Sequence, residues 1–210
     1  MIYPESCRTA MQLILATRNV HKLREIQRIL GSKFAASRLS DRDKVAEVHE
    51  SGSSYEENAI LKAVTVSRQL PGLIVADDSG LEVDALGGAP GIHSARYAGQ
   101  HATDKENIYK LLGELARVGA RENKRSARFR CVLALARDSQ ILATFEGTVE
   151  GVIADRARGG RGFGYDPIFI PAGFEKTFGE LRAEVKNRIS HRGQAIRDLA
   201  AKLAALEPGD

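Results

Sequence analysis

Apolar positions along the chain alternate between short runs and helical stripes. Residues 12–17 form a short, mostly apolar run of strand type. Asn19 then opens a helix in which Leu23, Ile26 and Leu30 recur at i, i+3 and i+7, with Gly31 as the stop. Residues 33–52 are polar and weakly patterned, with room for one or two short strands. From Ser54 the spacing predicts a helix to Leu70, with Ala59, Ala63, Val66 and Leu70 on one stripe and Pro71-Gly72 ending it. Residues 73–76 read as a buried strand with Asp77 and Asp78 at its carboxyl end. Residues 87–91 form a tight glycine-rich loop, and Thr103-Asp104 can cap a helix reaching about Val118. Residues 128–137 and 141–153 read as a long antiparallel pair turning at Asp138-Ser139. A glycine-rich loop at 159–164 follows, and a last helix from Ser190 carries Ile196, Leu199, Leu203 and Leu206 on one face.

This order of elements predicts an α/β fold, a mixed sheet with flanking helices in one unit. Residues 1–10 precede a second methionine, Met11, and read as an extension; residues 11–210 form the domain. At 43% hydrophobic residues, 210 residues can bury a sizeable core, which excludes wholesale disorder. The net charge of +4 suits small anionic molecules without demanding nucleic acid. The longest clean apolar run, residues 131–136, is far too short to cross a membrane. Cys7 and Cys131 have neither paired nor metal-ligand spacing, so they are expected to be free thiols in a reducing compartment, the cytoplasm.

Five stretches carry candidate chemistry. In Thr17-Arg18-Asn19-Val20-His21-Lys22, at a strand-to-helix junction, free N–H groups and the helix dipole favour phosphate, and Lys22 adds a full charge. An ordinary N-cap with a solvated lysine explains the spacing alone more simply. In Ser54-Tyr55-Glu56-Glu57-Asn58, acids in the first helical turn suit the dipole, and a structural role is the simpler reading; Lys62 shares a face with Asn58. In Asp77-Asp78-Ser79-Gly80-Leu81-Glu82-Val83-Asp84, four acids within eight residues exceed what a turn needs. Consecutive carboxylates after a buried strand point to a cation, and Mg²⁺ takes such hard oxygens. The loop Gly159-Gly160-Arg161-Gly162-Phe163-Gly164-Tyr165-Asp166-Pro167 offers close backbone approach and an aromatic face; a flexible RNA-binding loop of Arg-Gly type and a plain glycine turn remain as rivals. Last, Lys186 and Ser190-His191-Arg192 put basic residues at a helix start, against the dipole. Donors from His191 or Arg192 would bond a purine 6-oxo group, whereas the amino group of adenine would leave them unpaired.

Together, the stretches LATRNVHKLREI, ESGSSYEENAILKA, ADDSGLEVDALGGAPGIHSARYAG, GFGYDPIFIP and ISHRGQAIRDL resemble the inosine triphosphate pyrophosphatase family of non-standard purine nucleotide hydrolases, over about residues 13–199. The resemblance implies an elongated mixed sheet with two lobes around a central cleft, a homodimer, and Mg²⁺-dependent hydrolysis of inosine and xanthosine triphosphates to monophosphate and pyrophosphate. It implies Asp78 as general base and metal-associated residue, with Glu57 as a metal ligand. It implies residues 17–22, Lys62 and Ser79 as phosphate holders, and Phe163, Gly164, Tyr165, Asp166, Lys186, His191 and Arg192 as the base pocket. Many relatives have Gly where this chain has Arg18 and His21, which makes for a bulkier or more basic phosphate loop, so the implied contacts carry over for Thr17, Asn19 and Lys22 more directly than for those two. Maf-like pyrophosphatases share the general architecture, but the Ser-His-Arg-Gly and GFGYD stretches argue against them. An RNA-binding module would need no magnesium and is disfavoured by the acidic cluster.

Overall fold

The computed structural model describes residues 10–39, 45, 48–121 and 124–206. The expected extension at residues 1–10 lies, apart from Ala10, outside the described residues. Six strands form one mixed sheet in the order β2-β1-β3-β4-β5-β6. Strand β1 (Met11–Leu15) runs parallel to β2 (Phe34–Arg38) and to β3 (Leu73–Val83). From β3 onward, β4 (Ser126–Arg137), β5 (Gln140–Ile153) and β6 (Phe169–Pro171) pair antiparallel.

Helix α1 (Val20–Leu30) starts where Asn19 Oδ1 accepts from the His21 and Lys22 N–H groups, and ends at Gly31. Helix α2 (Tyr55–Ser67) is capped by Ser54, and α3 (Asp104–Arg117) by a full capping box of Thr103 and Glu106. Helix α2 ends three residues before the expected Leu70; Gln69 and Leu70 close a turn on the Val66 carbonyl instead. A short helix α4 (Ala183–Ile189), which periodicity does not predict, leads into α5 (His191–Ala204) through Ser190.

β3 does not stop at Ala76; it continues through Asp77 and Asp78 to Val83, because β4 pairs with it from Ile74↔Ala136 to Val83↔Ala127. The acidic pair therefore sits inside a strand, and the strand period of two sends its side chains to opposite faces. The core divides accordingly. One cluster packs α1 and α5 on the face holding Val75, Leu133 and Leu135. A second packs α2 on the face holding Ile74, Ala76 and Ala134. A third surrounds the far halves of β3 to β5 with Leu111, Phe169 and Phe178. Among the described residues, no helix is long and apolar enough to cross a membrane.

Candidate active site

The site lies where β1 ends. The Ala16 N–H donates to the Val75 carbonyl, and the chain then turns away into α1. Two residues further along β3, the Asp77 carbonyl points to the same side and meets lysines instead of a strand. Lys62 Nζ of α2 donates to it at 2.8 Å, and Lys22 Nζ of α1 lies 3.4 Å away. The two lysines come from opposite faces of the sheet and converge on one open edge.

On the α1/α5 face the Asp77 carboxylate is a hub. It accepts from Lys22 Nζ at 2.5 Å, Arg192 Nε at 2.8 Å and Ser79 Oγ at 2.9 Å. Burial pushes this carboxyl up, but Arg192 and Lys22 outweigh burial and hold it well below the usual range. Arg192 also donates to Glu25 Oε2 at 2.7 Å and to Ser79 Oγ at 2.8 Å. Each terminal nitrogen of its guanidinium thus keeps a second N–H for a ligand. Lys186 Nζ binds Glu25 at 2.7 Å and Asp166 at 2.5 Å, and Asp166 Oδ2 accepts the Phe163 N–H.

On the α2 face, Lys62 Nζ binds Asp78 Oδ1 at 3.2 Å and Glu50 Oε1 at 2.8 Å; Arg96 holds the other Glu50 oxygen. Burial raises the Asp78 carboxyl despite Lys62 and Lys22 nearby, and Glu50 adds to the rise. The second oxygen, Asp78 Oδ2, is buried without a partner.

Beside the open edge a cavity of about 270 Å³ is lined by Lys22, Ser79, Phe163, Lys186, His191 and Arg192 among others. His191 is buried and stacks on Phe129 at 4.8 Å. Burial, then Arg192 and Lys186, keep its ring neutral, and its Nδ1 lacks a partner. Its place depends on Gly147 of β5, where a side chain would overlap the His191 carbonyl, so only glycine lets α5 approach this closely. A more open hollow of about 650 Å³ over α3, near His101, Lys105 and Tyr109, holds none of the expected site residues.

Of the expected site residues, Asn19, Lys22, Ser79, Phe163, Gly164, Tyr165, Asp166, Lys186, His191 and Arg192 line one cavity. Lys62 and Asp78 adjoin it across β3 through the Asp77 carbonyl. Thr17 turns the loop, its Oγ1 accepting the Asn19 N–H. Arg18 turns away to the Val45 carbonyl, Val20 is exposed, and His21 stacks on Phe163 outside the cavity. The acid that shares the Lys62 ammonium with Asp78 is Glu50. Glu57 sits in the first turn of α2 and reaches back, its Oε2 accepting the Ser53 N–H at 2.7 Å and Ser53 Oγ at 2.9 Å.

Asp77 as hub, Glu25 and Glu50 are the members that sequence reasoning missed. Glu25 follows Lys22 by three residues on α1, a spacing that shares a face, and Glu50 stands just before Ser51-Gly52 in the second stretch. Neither looks different from a solvated acid without the fold.

Known proteins resemble this chain in sequence and fold. The model of the Ham1 family matches residues 13–202. A protein of Bacillus licheniformis named dITP/XTP pyrophosphatase is 45% identical over 193 residues, 91% of this chain and 97% of its own length. A protein of Methylococcus capsulatus with the same name is 45% identical over 200 residues, 94% and 98% of the two chains. Among solved structures, a HAM1 protein from Coxiella burnetii superposes with a TM-score of 0.82 at 41% identity, covering 93% of this chain and 99% of that one. The Staphylococcus aureus Ham1 protein gives 0.80 at 41% identity, covering 92% and 98%. The curled mixed sheet and its helices are those of these structures, and the chain, as its motifs suggested, belongs to the Ham1 family.

Proposed function

We propose that this chain hydrolyses non-standard purine nucleoside triphosphates (dITP, ITP and XTP) to the monophosphate and pyrophosphate. One observation carries the reading: Lys22 and Lys62 converge on the bare edge of β3 at Asp77, beside a cavity ending in His191 and Arg192. Two lysines and the N-terminus of α1 suit a polyphosphate, and the cavity suits a purine. The name dITP/XTP pyrophosphatase carried by relatives supports the substrate class.

The donor set fits Mg²⁺. Asp78 Oδ2 is buried without a partner, and the Glu50 carboxylate meets the same Lys62 ammonium. No group of three or more His, Cys, Asp or Glu suited to a metal occurs among the described residues. Mg²⁺ needs only one or two carboxylates, with water and substrate phosphate completing its shell. Asp78 and Glu50 would hold it, and when bound it would lower the pKa of the attacking water and offset phosphate charge.

Asp78 takes the proton of that water as oxygen attacks phosphorus and pyrophosphate leaves. Lys22 and Lys62 draw the phosphates onto the edge and neutralise them. In the cavity, the spare N–H groups of Arg192 meet the 6-oxo group, while an adenine amino group would leave them unpaired. With this reading go Phe163 as the stacking wall, residues 11–210 as one two-lobed domain, a homodimer and a cytoplasmic location.

Pyrophosphate release from ITP, XTP, dITP and ATP, with and without Mg²⁺, is the direct test. The 6-oxo substrates are expected to react only with the metal present, and ATP far more slowly. Asp78→Asn should lower kcat by at least about 100-fold while nucleotide still binds. Glu50→Gln should raise the Mg²⁺ needed for half-maximal rate, and Glu57→Gln should not. Equal rates on ATP, or undiminished turnover in Asp78→Asn, would end the proposal.

A further inference from the structure

Phe163 separates two hollows. On one side is the cavity with His191 and Arg192; on the other is a groove of about 170 Å³ lined by His21, Arg24, Arg28, Arg161 and Phe178. Phe163 and Lys186 line both, but His21 lines only the groove. The His21 imidazole stacks on Phe163 with ring centroids 5.3 Å apart and planes 17° from parallel. Lys186 Nζ lies 5.1 Å from the Phe163 centroid and the Arg192 guanidinium 5.5 Å.

The two rings stand on different supports. His21 stands in the first turn of α1, and its N–H is fixed by Asn19 Oδ1 at 2.9 Å. Phe163 stands between Gly162 and Gly164, both with positive φ, in a loop rather than on a helix. Its N–H donates to Asp166 Oδ2, its carbonyl accepts the Asp166 N–H, and the Gly164 N–H donates to Asp104 Oδ2; these bonds hold the backbone, and none of them holds the ring.

We infer that His21 is a positioning residue for the base wall: it backs the groove side of Phe163, so that the cavity side presents a fixed face to a purine. The inference rests on the proposed function for the identity of that purine. It gives the phosphate loop a second task. The same first turn of α1 that receives phosphate also props the ring that receives the base. Free Phe163 would have to be ordered at the moment of binding, and the stack removes that cost beforehand.

The His21 side chain itself is not a phosphate ligand in this scheme, and that separates the reading from its alternatives. In His21→Ala, KM for the best 6-oxo substrate should rise about fivefold, the contribution of one aromatic pair, with kcat changed by less than about twofold. Inhibition by inorganic pyrophosphate, which has no base, should keep its inhibition constant. His21→Phe should recover at least half of the lost affinity, and His21→Lys should not. A KM unmoved in His21→Ala overturns the inference. So does a parallel weakening of pyrophosphate inhibition rescued by lysine, which would make His21 a phosphate contact.

A second measurement does not depend on catalysis. The chain has no tryptophan, so Phe163→Trp supplies a single indole that can be excited at wavelengths where the chain's tyrosines do not absorb. With His21 present its fluorescence anisotropy decay should show a restricted ring, and adding His21→Ala should release it on the nanosecond scale. Identical decays would overturn the inference even in a fully active enzyme. Absence of pyrophosphate release from wild type would instead fault the proposed function and leave the decay result standing by itself.

Discussion

At the scale of single residues, Asp77 and Asp78 are neighbours with opposite surroundings. Asp77 faces two cations at short range and stays ionised; Asp78 faces one lysine at longer range, and burial raises its carboxyl. One step along a strand separates a structural hub from a proposed base. His191 shows the same rule for a cationic acid. Its buried ring refuses the proton that an unfolded histidine takes below about pH 6.5. The unfolded state then binds more protons than the folded one, so His191 costs stability as pH falls below that value. The loss runs at up to about 1.4 kcal/mol per pH unit. Urea midpoints measured at pH 7.5 and pH 5.5 should therefore converge in His191→Phe relative to wild type, since phenylalanine keeps the stack on Phe129 but binds no proton. An unchanged gap would mean that His191 is protonated in the folded chain.

At the scale of elements, what matters is where each begins and ends. β1 stops at Leu15 while β3 runs on to Val83, and the mismatch leaves the edge on which the lysines converge. Helix α3 matters through its start. Thr103 and Glu106 close the capping box, and next to them Asp104 Oδ2 accepts the Gly164 N–H at 2.7 Å. The cap of one helix thereby anchors the loop that carries Phe163. Thr103→Ala should cost about 1 kcal/mol in urea unfolding, the usual value of a lost N-cap hydroxyl. Thr103→Ser, which can make the same bonds, should restore most of it. A silent Thr103→Ala would show that the box is not formed.

At the scale of the whole molecule, buried charges join parts that are distant in sequence. Glu25 of α1 meets Lys186 of α4, 161 residues away, and Arg192 of α5, 167 residues away. Arg192 in turn meets Asp77 of β3, and Lys186 meets Asp166 beside the glycine loop. Burial opposes ionisation of Glu25, but Arg192 and Lys186 win and lower its carboxyl. Removing one partner of such a network leaves a buried charge uncompensated. Glu25→Gln and Lys186→Met should each destabilise by about 3 kcal/mol in urea unfolding. The double variant should cost clearly less than their sum, because the second change removes a charge the first has orphaned. Strict additivity would show that the two side chains do not share a network.

Helix starts and the long hairpin were legible because their causes are local. Asn19, Ser54, Thr103 and Ser190 each cap with their own side chain, and the Asp138-Ser139 turn takes the positive φ that a tight hairpin needs. Motif order alone also led to the family, and to most of the residues that line the cavity. What needed tertiary structure was everything depending on a partner far along the chain. The length of β3 is decided by pairing with β4, the side each aspartate faces by that extended strand, and the acid that joins Asp78 at Lys62 by the chain path that brings Glu50 there. Periodicity fixes how a segment presents its residues to the core, but a charge acquires its role only from the opposite charge that folding brings beside it.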